Sequence, residues 1–148
     1  MVLLDTNIFV IDRFFQRDER YADNQAFVNK LPELDAGFSI FSLLELCGIS
    51  SFNLSESELK RWMFYFPTIY PVKILNPHGV GESASAIEWF GAYTVDTFQL
   101  LTRKITWGDA MVVQTAEQYQ VDAIITWNQK HFVNRTTIPV LPPREFST

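Results

Sequence analysis

The stretch Ala123 to Phe132, AIITWNQKHF, starts apolar and β-branched and then stops at Thr126 and Asn128. The chain opens in nearly the same way with Met1 to Asn7, MVLLDTN, where the polar stop carries a carboxylate. Short runs that are apolar on both parities read as strands covered by helices on both faces. Two further runs of this kind, Gly37 to Phe41 and Thr68 to Leu75, lie between them. Val140-Leu141-Pro142-Pro143 reads as a late edge strand ended by its prolines.

Helical spacing fills the intervals. Apolar residues recur three and four apart over Ile8 to Phe15, Ala22 to Leu31, Leu43 to Ile49, Glu56 to Phe66, Glu82 to Arg103 and Asp109 to Tyr119. Ser55-Glu56-Ser57-Glu58 is a capping-box start, Pro67 stops that helix, and Gly91 allows a break in the long one. Strands alternating with helices predict an α/β fold, a three-layer α/β/α sandwich around a central, mainly parallel sheet. The 148 residues have the size of one domain, taken as 1–148, with no internal repeat or linker.

Hydrophobic residues make up 47% and charged residues 20% of the chain, a globular balance rather than a disordered one. The apolar opening is interrupted by Asp5 and Asp12 and lacks a basic lead-in, so it reads as neither signal peptide nor membrane span. The single cysteine, Cys47, rules out an internal disulfide. A cytoplasmic protein is the expectation. The net charge of -5 argues against a polyanionic partner, although neutralising three of the 17 acids would leave 12 basic against 14 acidic residues.

In a parallel sheet, strand C-termini and the helix N-termini that follow them share one rim, where ligands usually bind. Asp5 follows the first strand, Glu45 comes just after the second, Asp109 opens the last long helix and Asn128 follows Ile124-Ile125. Taken singly, each has a structural reading. Asp5 reads as a helix cap, Ser42 to Glu45 and Thr106 to Asp109 fit capping boxes, and Asn128 fits an Asx-turn. Taken together, carboxylates within roughly 4–6 Å of one another raise each other's pKa unless a cation compensates them. Oxygen donors without Cys or His at ligand spacing suit Mg²⁺ or Mn²⁺, ions that serve phosphodiester hydrolysis.

LLDTN, Glu45 in SLLELCG, Gly108-Asp109-Ala110 in TWGDAMVVQTA, the segment ITWNQKHF and the closing VLPPREF, in that order, resemble the PIN domain family. The likeness is to the toxin ribonucleases of VapBC toxin-antitoxin systems in particular. The resemblance implies a PIN-like fold, with Asp5, Glu45, Asp109 and Asn128 as catalytic positions and Asp5, Asp109 and Glu45 as metal ligands. Thr126 falls at the family's hydroxyl position near the metal, and Asn128 takes the place of an acid and would orient a metal-bound water. Thr6 and Asn7 are expected to fix the Asp5 turn. The implied activity is Mg²⁺- or Mn²⁺-dependent hydrolysis of RNA by metal-activated water, in a homodimer that binds a cognate antitoxin and no membrane.

Around that site, Arg13, Arg17 and Lys130 are candidate RNA contacts, each as readily an ordinary solvated side chain. Arg20 and Arg135 extend the same basic set. Trp127, like Trp107, precedes a site residue and is a stacking candidate, with packing as its other reading. His78 and His131 would suit metal-free acid-base cleavage, the less favoured mechanism. Two rivals to the nuclease are carried. One is a catalytically silent PIN-like module that binds RNA or a protein partner. The other is a haloacid-dehalogenase-like phosphatase, disfavoured because Asn7 stands where that family has its second acid.

Overall fold

In a computed structural model that describes residues 1–79 and 85–146, β1 (Val2–Leu4) is buried at every position, and its pleat explains the layering. Val2 and Leu4 face one apolar cluster and Leu3 faces another, as successive strand side chains must. β4 (Ala123–Ile125) repeats the alternation, with Ala123 and Ile125 on the first side and Ile124 on the second. With β2 (Ala36–Ser39), β3 (Lys73–Leu75) and β5 (Val140–Leu141), these strands form one sheet in the order β3-β2-β1-β4-β5. Every pairing in it is parallel.

The first cluster joins Phe9 of α1 (Thr6–Phe14), Phe27 of α2 (Tyr21–Val28), Leu43 and Leu46 of α3 (Ile40–Ser50) and Trp62 of α4 (Glu56–Tyr65) to Phe38 of β2. Its centre is aromatic: Phe9 meets Phe38 at 4.8 Å and Phe66 at 5.0 Å, both edge to face. The second cluster packs Leu100 of α5 (Ala86–Leu101) and the buried side of α6 (Trp107–Tyr119) on the other face. The result is the three-layer α/β sandwich the alternation predicts. Among the described residues, no helix is long and apolar enough to cross a membrane.

Several element boundaries differ from the sequence reading, each for a local reason. The expected strand Thr68 to Leu75 shortens to Lys73–Leu75, because Phe66–Thr68 form a 3-10 turn around Pro67 and Pro71 has no N–H for a ladder. The run from Gly37 ends at Ser39, whose hydroxyl accepts from the Phe41 amide at 3.3 Å and caps α3. The capping reading of Ser42 and Glu45 is thereby corrected, since both lie inside the helix. Helix α2 ends at Val28, and Leu31–Glu33 turn separately around Pro32. Gly91 makes no break in α5, which runs from Ala86 after a Ser85 cap; the expected start over 82–84 lies outside the described residues.

Candidate active site

The topology sets the site. β1 lies between β2 and β4, with Leu4 registered to both Phe38 and Ile125, so the residues that leave these strands emerge side by side. Asp5 leaves β1 and caps α1, accepting from the Thr6 amide at 2.7 Å. Its other oxygen accepts from the Asn7 side-chain amide and from the Thr126 hydroxyl, both at 2.6 Å. Thr126 leaves β4, and its hydroxyl oxygen also accepts from Asn7 and from the Asn128 amide, both at 2.9 Å. The two stretches LLDTN and IITWN are thus interlocked through their polar ends.

Glu45, one turn into α3, accepts from the Thr6 hydroxyl at 2.6 Å. Its second oxygen lies over Gly108, where a Cβ would approach it to 3.0 Å. Asp109, in the first turn of α6, accepts from the Thr106 hydroxyl at 2.7 Å and stands 3.3 Å from His131 Nδ1. Asp5, Thr6, Asn7, Glu45, Asp109 and Asn128 all line one open pocket of about 310 Å³. Asn128 has no side-chain hydrogen bond among the described residues.

Burial pushes the Asp5 carboxyl from its ordinary 3.8 up to about 6; the Thr126 hydrogen bond opposes this, and the charges of Asp109 and Glu45 add to it. Glu45 and Asp109 therefore both act on Asp5 across the pocket. As placed, no three His, Cys, Asp or Glu side chains among the described residues form a group that could hold one ion, and Glu45 and Asp109 are each hydrogen-bonded to a threonine hydroxyl. The donor chemistry itself fits a hard divalent cation: carboxylate oxygens, one of them buried and opposed by its neighbours' charge.

The remaining candidates lie apart from the pocket lining. Thr126 is fully buried behind Asp5. Trp127 donates its indole N–H to Asn24 at 2.8 Å and packs against the first cluster. Arg13 pairs with Glu58 at 3.8 Å and, with Arg17, lines a separate surface depression. Arg20 forms a fork with Asp18, at 2.7 and 2.8 Å. Lys130 is exposed. Asp12 accepts from the buried Tyr70 hydroxyl at 2.7 Å, away from the pocket. Val10, Ile49, Thr106 and Gly108 also line the pocket, with no site role assigned from sequence. Only the box spacing around Thr106 could have signalled one of them. His131, set low as a metal-free catalyst, lines it too, held at Asp109.

No family model matches this sequence, and no curated protein matches it at a significant level. Solved structures do match. A chain of FitAcB from Neisseria gonorrhoeae aligns at a TM-score of 0.65, with 17% identity over 99% of this chain and 100% of that one. A toxin-antitoxin complex from Klebsiella pneumoniae gives 0.60, with 19% identity over 99% and 100% of the two chains. VapBC-1 from nontypeable Haemophilus influenzae gives 0.61, with 18% identity over 98% and 100%. From end to end, this chain has the PIN-like fold of chains in those structures.

Proposed function

We propose that this chain is the toxin of a toxin-antitoxin pair and acts as a Mg²⁺- or Mn²⁺-dependent endoribonuclease. The observation that carries the reading is one pocket at the carboxyl rim of the sheet, lined by Asp5, Glu45, Asp109 and Asn128, with the charge of Asp5 opposed by two other acids. The likeness to chains from toxin-antitoxin complexes supports the toxin role and an antitoxin partner. Exposed Ile87, Phe90, Val95 and Phe98 on α5 offer apolar area for a homodimer contact.

Asp5, Glu45 and Asp109 would hold the cation. When bound, such an ion polarises a phosphoryl oxygen and makes water acidic enough to attack phosphorus at neutral pH. The chain's own residues supply placement. Thr6 joins two of the acids, donating its amide to Asp5 and its hydroxyl to Glu45, so both keep a fixed separation. Asn7 and Thr126 hold Asp5, and Thr106 holds Asp109, whose carboxylate lies 3.3 Å from His131 Nδ1. Asn128, whose side-chain amide makes no hydrogen bond among the described residues, is available to orient the attacking water or a phosphate oxygen.

Cleavage of structured RNAs with and without EDTA tests this reading. Chelation should abolish cleavage, and Asp5→Asn or Asp109→Asn should lower it by on the order of 100-fold or more, the loss of several kcal/mol of transition-state stabilisation. Full activity in either variant ends the metal mechanism. A catalytically silent module that binds RNA or a protein is the second reading, favoured by the turning of Glu45 and Asp109 to protein donors and by the amide at Asn128. Titration calorimetry with Mn²⁺ separates the two, since a silent module would give no binding heat.

A further inference from the structure

We propose that Trp107 is a stacking platform for an unpaired nucleobase next to the cleaved phosphodiester, which gives the ribonuclease proposed above its preference for single-stranded RNA. Two tryptophans precede site residues, and they sit differently. Trp127 is tied by its indole N–H to Asn24 and packs into the first cluster. Trp107 is 55% exposed in the first turn of α6, and the residues on either side of it in the chain, Thr106 and Gly108, both line the carboxylate pocket. Other aromatic rings are exposed, among them Phe52, Phe64 and Phe90, but none adjoins a pocket residue in the chain.

The ring is also propped. It meets Phe41 edge to face, with ring centroids 6.2 Å apart at 80°. Phe41 stacks on Tyr93 at 5.9 Å, and Tyr93 on Trp89 at 5.2 Å. This ladder runs from the start of α6 across the start of α3 to α5, so a half-exposed ring already held by Phe41 loses little freedom when a base lies on it.

Charge favours a base over a phosphate at this position. The chain carries 12 basic against 17 acidic residues, and Arg13 and Arg20 are already engaged by Glu58 and Asp18. A strand that gains little from backbone contacts must gain from stacking, which is neutral and indifferent to sequence. A base inside a duplex has no free face, so only looped or single-stranded RNA can use the platform.

The test measures affinity at low salt with EDTA, so that the RNA stays intact, for oligouridylate, oligoadenylate and a duplex of equal length. Wild type should bind both single strands and not the duplex, with quenched indole emission. Trp107→Ala should weaken binding about 5- to 100-fold, the range for removing one stacked base, and Trp107→Phe should keep most of the affinity. Sedimentation and thermal melts of both variants should match wild type. Wild-type affinity in Trp107→Ala overturns the platform, and intact metal-dependent cleavage in the same preparations shows that the nuclease reading survives it. A changed oligomeric state in Trp107→Ala assigns the ring to an interface between copies and also overturns it. No RNA binding and no cleavage by wild type removes both proposals.

Discussion

Within the candidate site, opposing forces meet on Asp5. It caps a helix, accepts three hydrogen bonds and lies buried beside two other acids, and burial wins over the hydrogen bonds in setting its pKa near 6. A carboxyl whose folded value lies above its unfolded value contributes its stability below the unfolded pKa. It loses that contribution as pH rises through the folded one. The window here runs from 3.8 to about 6. Above it, ionised Asp5 costs the ion-free fold up to about 3 kcal/mol, less whatever relaxation recovers. In EDTA, wild type is therefore predicted to lose stability relative to Asp5→Asn as pH rises from 4 to 7. At pH 7 the variant should melt several degrees higher, and at pH 4 the two should converge. Adding Mn²⁺ at pH 7 should raise the wild-type midpoint and leave Asp5→Asn nearly unmoved; parallel shifts would contradict a site centred on this carboxylate.

At the scale of elements, contacts between helices and strand ends hold the site's shape. Gly108 gives Glu45 room against the first turn of α6, since an added Cβ would meet the carboxylate oxygen at 3.0 Å. Alanine in place of a helical glycine ordinarily gains about 0.5–1 kcal/mol. Gly108→Ala is thus predicted to unfold at equal or higher urea concentration while binding Mn²⁺ more weakly, a divergence that stability loss alone cannot produce. Asn24 works from the opposite side. Fully buried in α2, it donates to the Ile8 carbonyl at 2.9 Å and accepts from the Trp127 indole at 2.8 Å, fastening α2 to α1 and to the exit of β4. Asn24→Leu strands an indole N–H in the interior, at a cost of about 1–3 kcal/mol, and should shift tryptophan emission as Trp127 loosens. Unchanged urea unfolding would show that Trp127 finds another acceptor.

Across the whole molecule, the proposed function would have an acidic chain meet a polyanion. Two of the arginines nearest the end of α1 are already paired, and Arg135 is spent on the carbonyls of Lys130 and His131. Few phosphates can be neutralised, so RNA affinity should fall only gently with salt. A slope of log K against log salt no steeper than about −2 is expected, corresponding to two or three backbone contacts. Fluorescence titrations between low and moderate salt give that slope, and a steep one would reveal a continuous basic track along the RNA.

Fold class was legible because periodicity is a local property. Val2–Leu4 and Ala123–Ile125 read as strands covered on both faces, and helices recurred between them, so a layered parallel sheet followed without any knowledge of contacts. Boundaries failed where a single residue overrode the period: Ser39 capping α3 early, Pro67 and Pro71 eroding the third strand. The rim positions of Asp5, Asp109 and Asn128 could likewise be read from strand and helix ends. Sequence could not tell that β1 would lie between β2 and β4, because strand order is fixed by burial and crossover packing between distant segments, β1 and β4 being more than 100 residues apart. That adjacency lets Thr126 donate to Asp5 and Thr6 hold Glu45, and helix packing leaves Trp107 exposed while half-buried Trp127 is tied to Asn24. Composition and spacing decide which groups reach the rim, and packing decides which of them meet there and which way they turn.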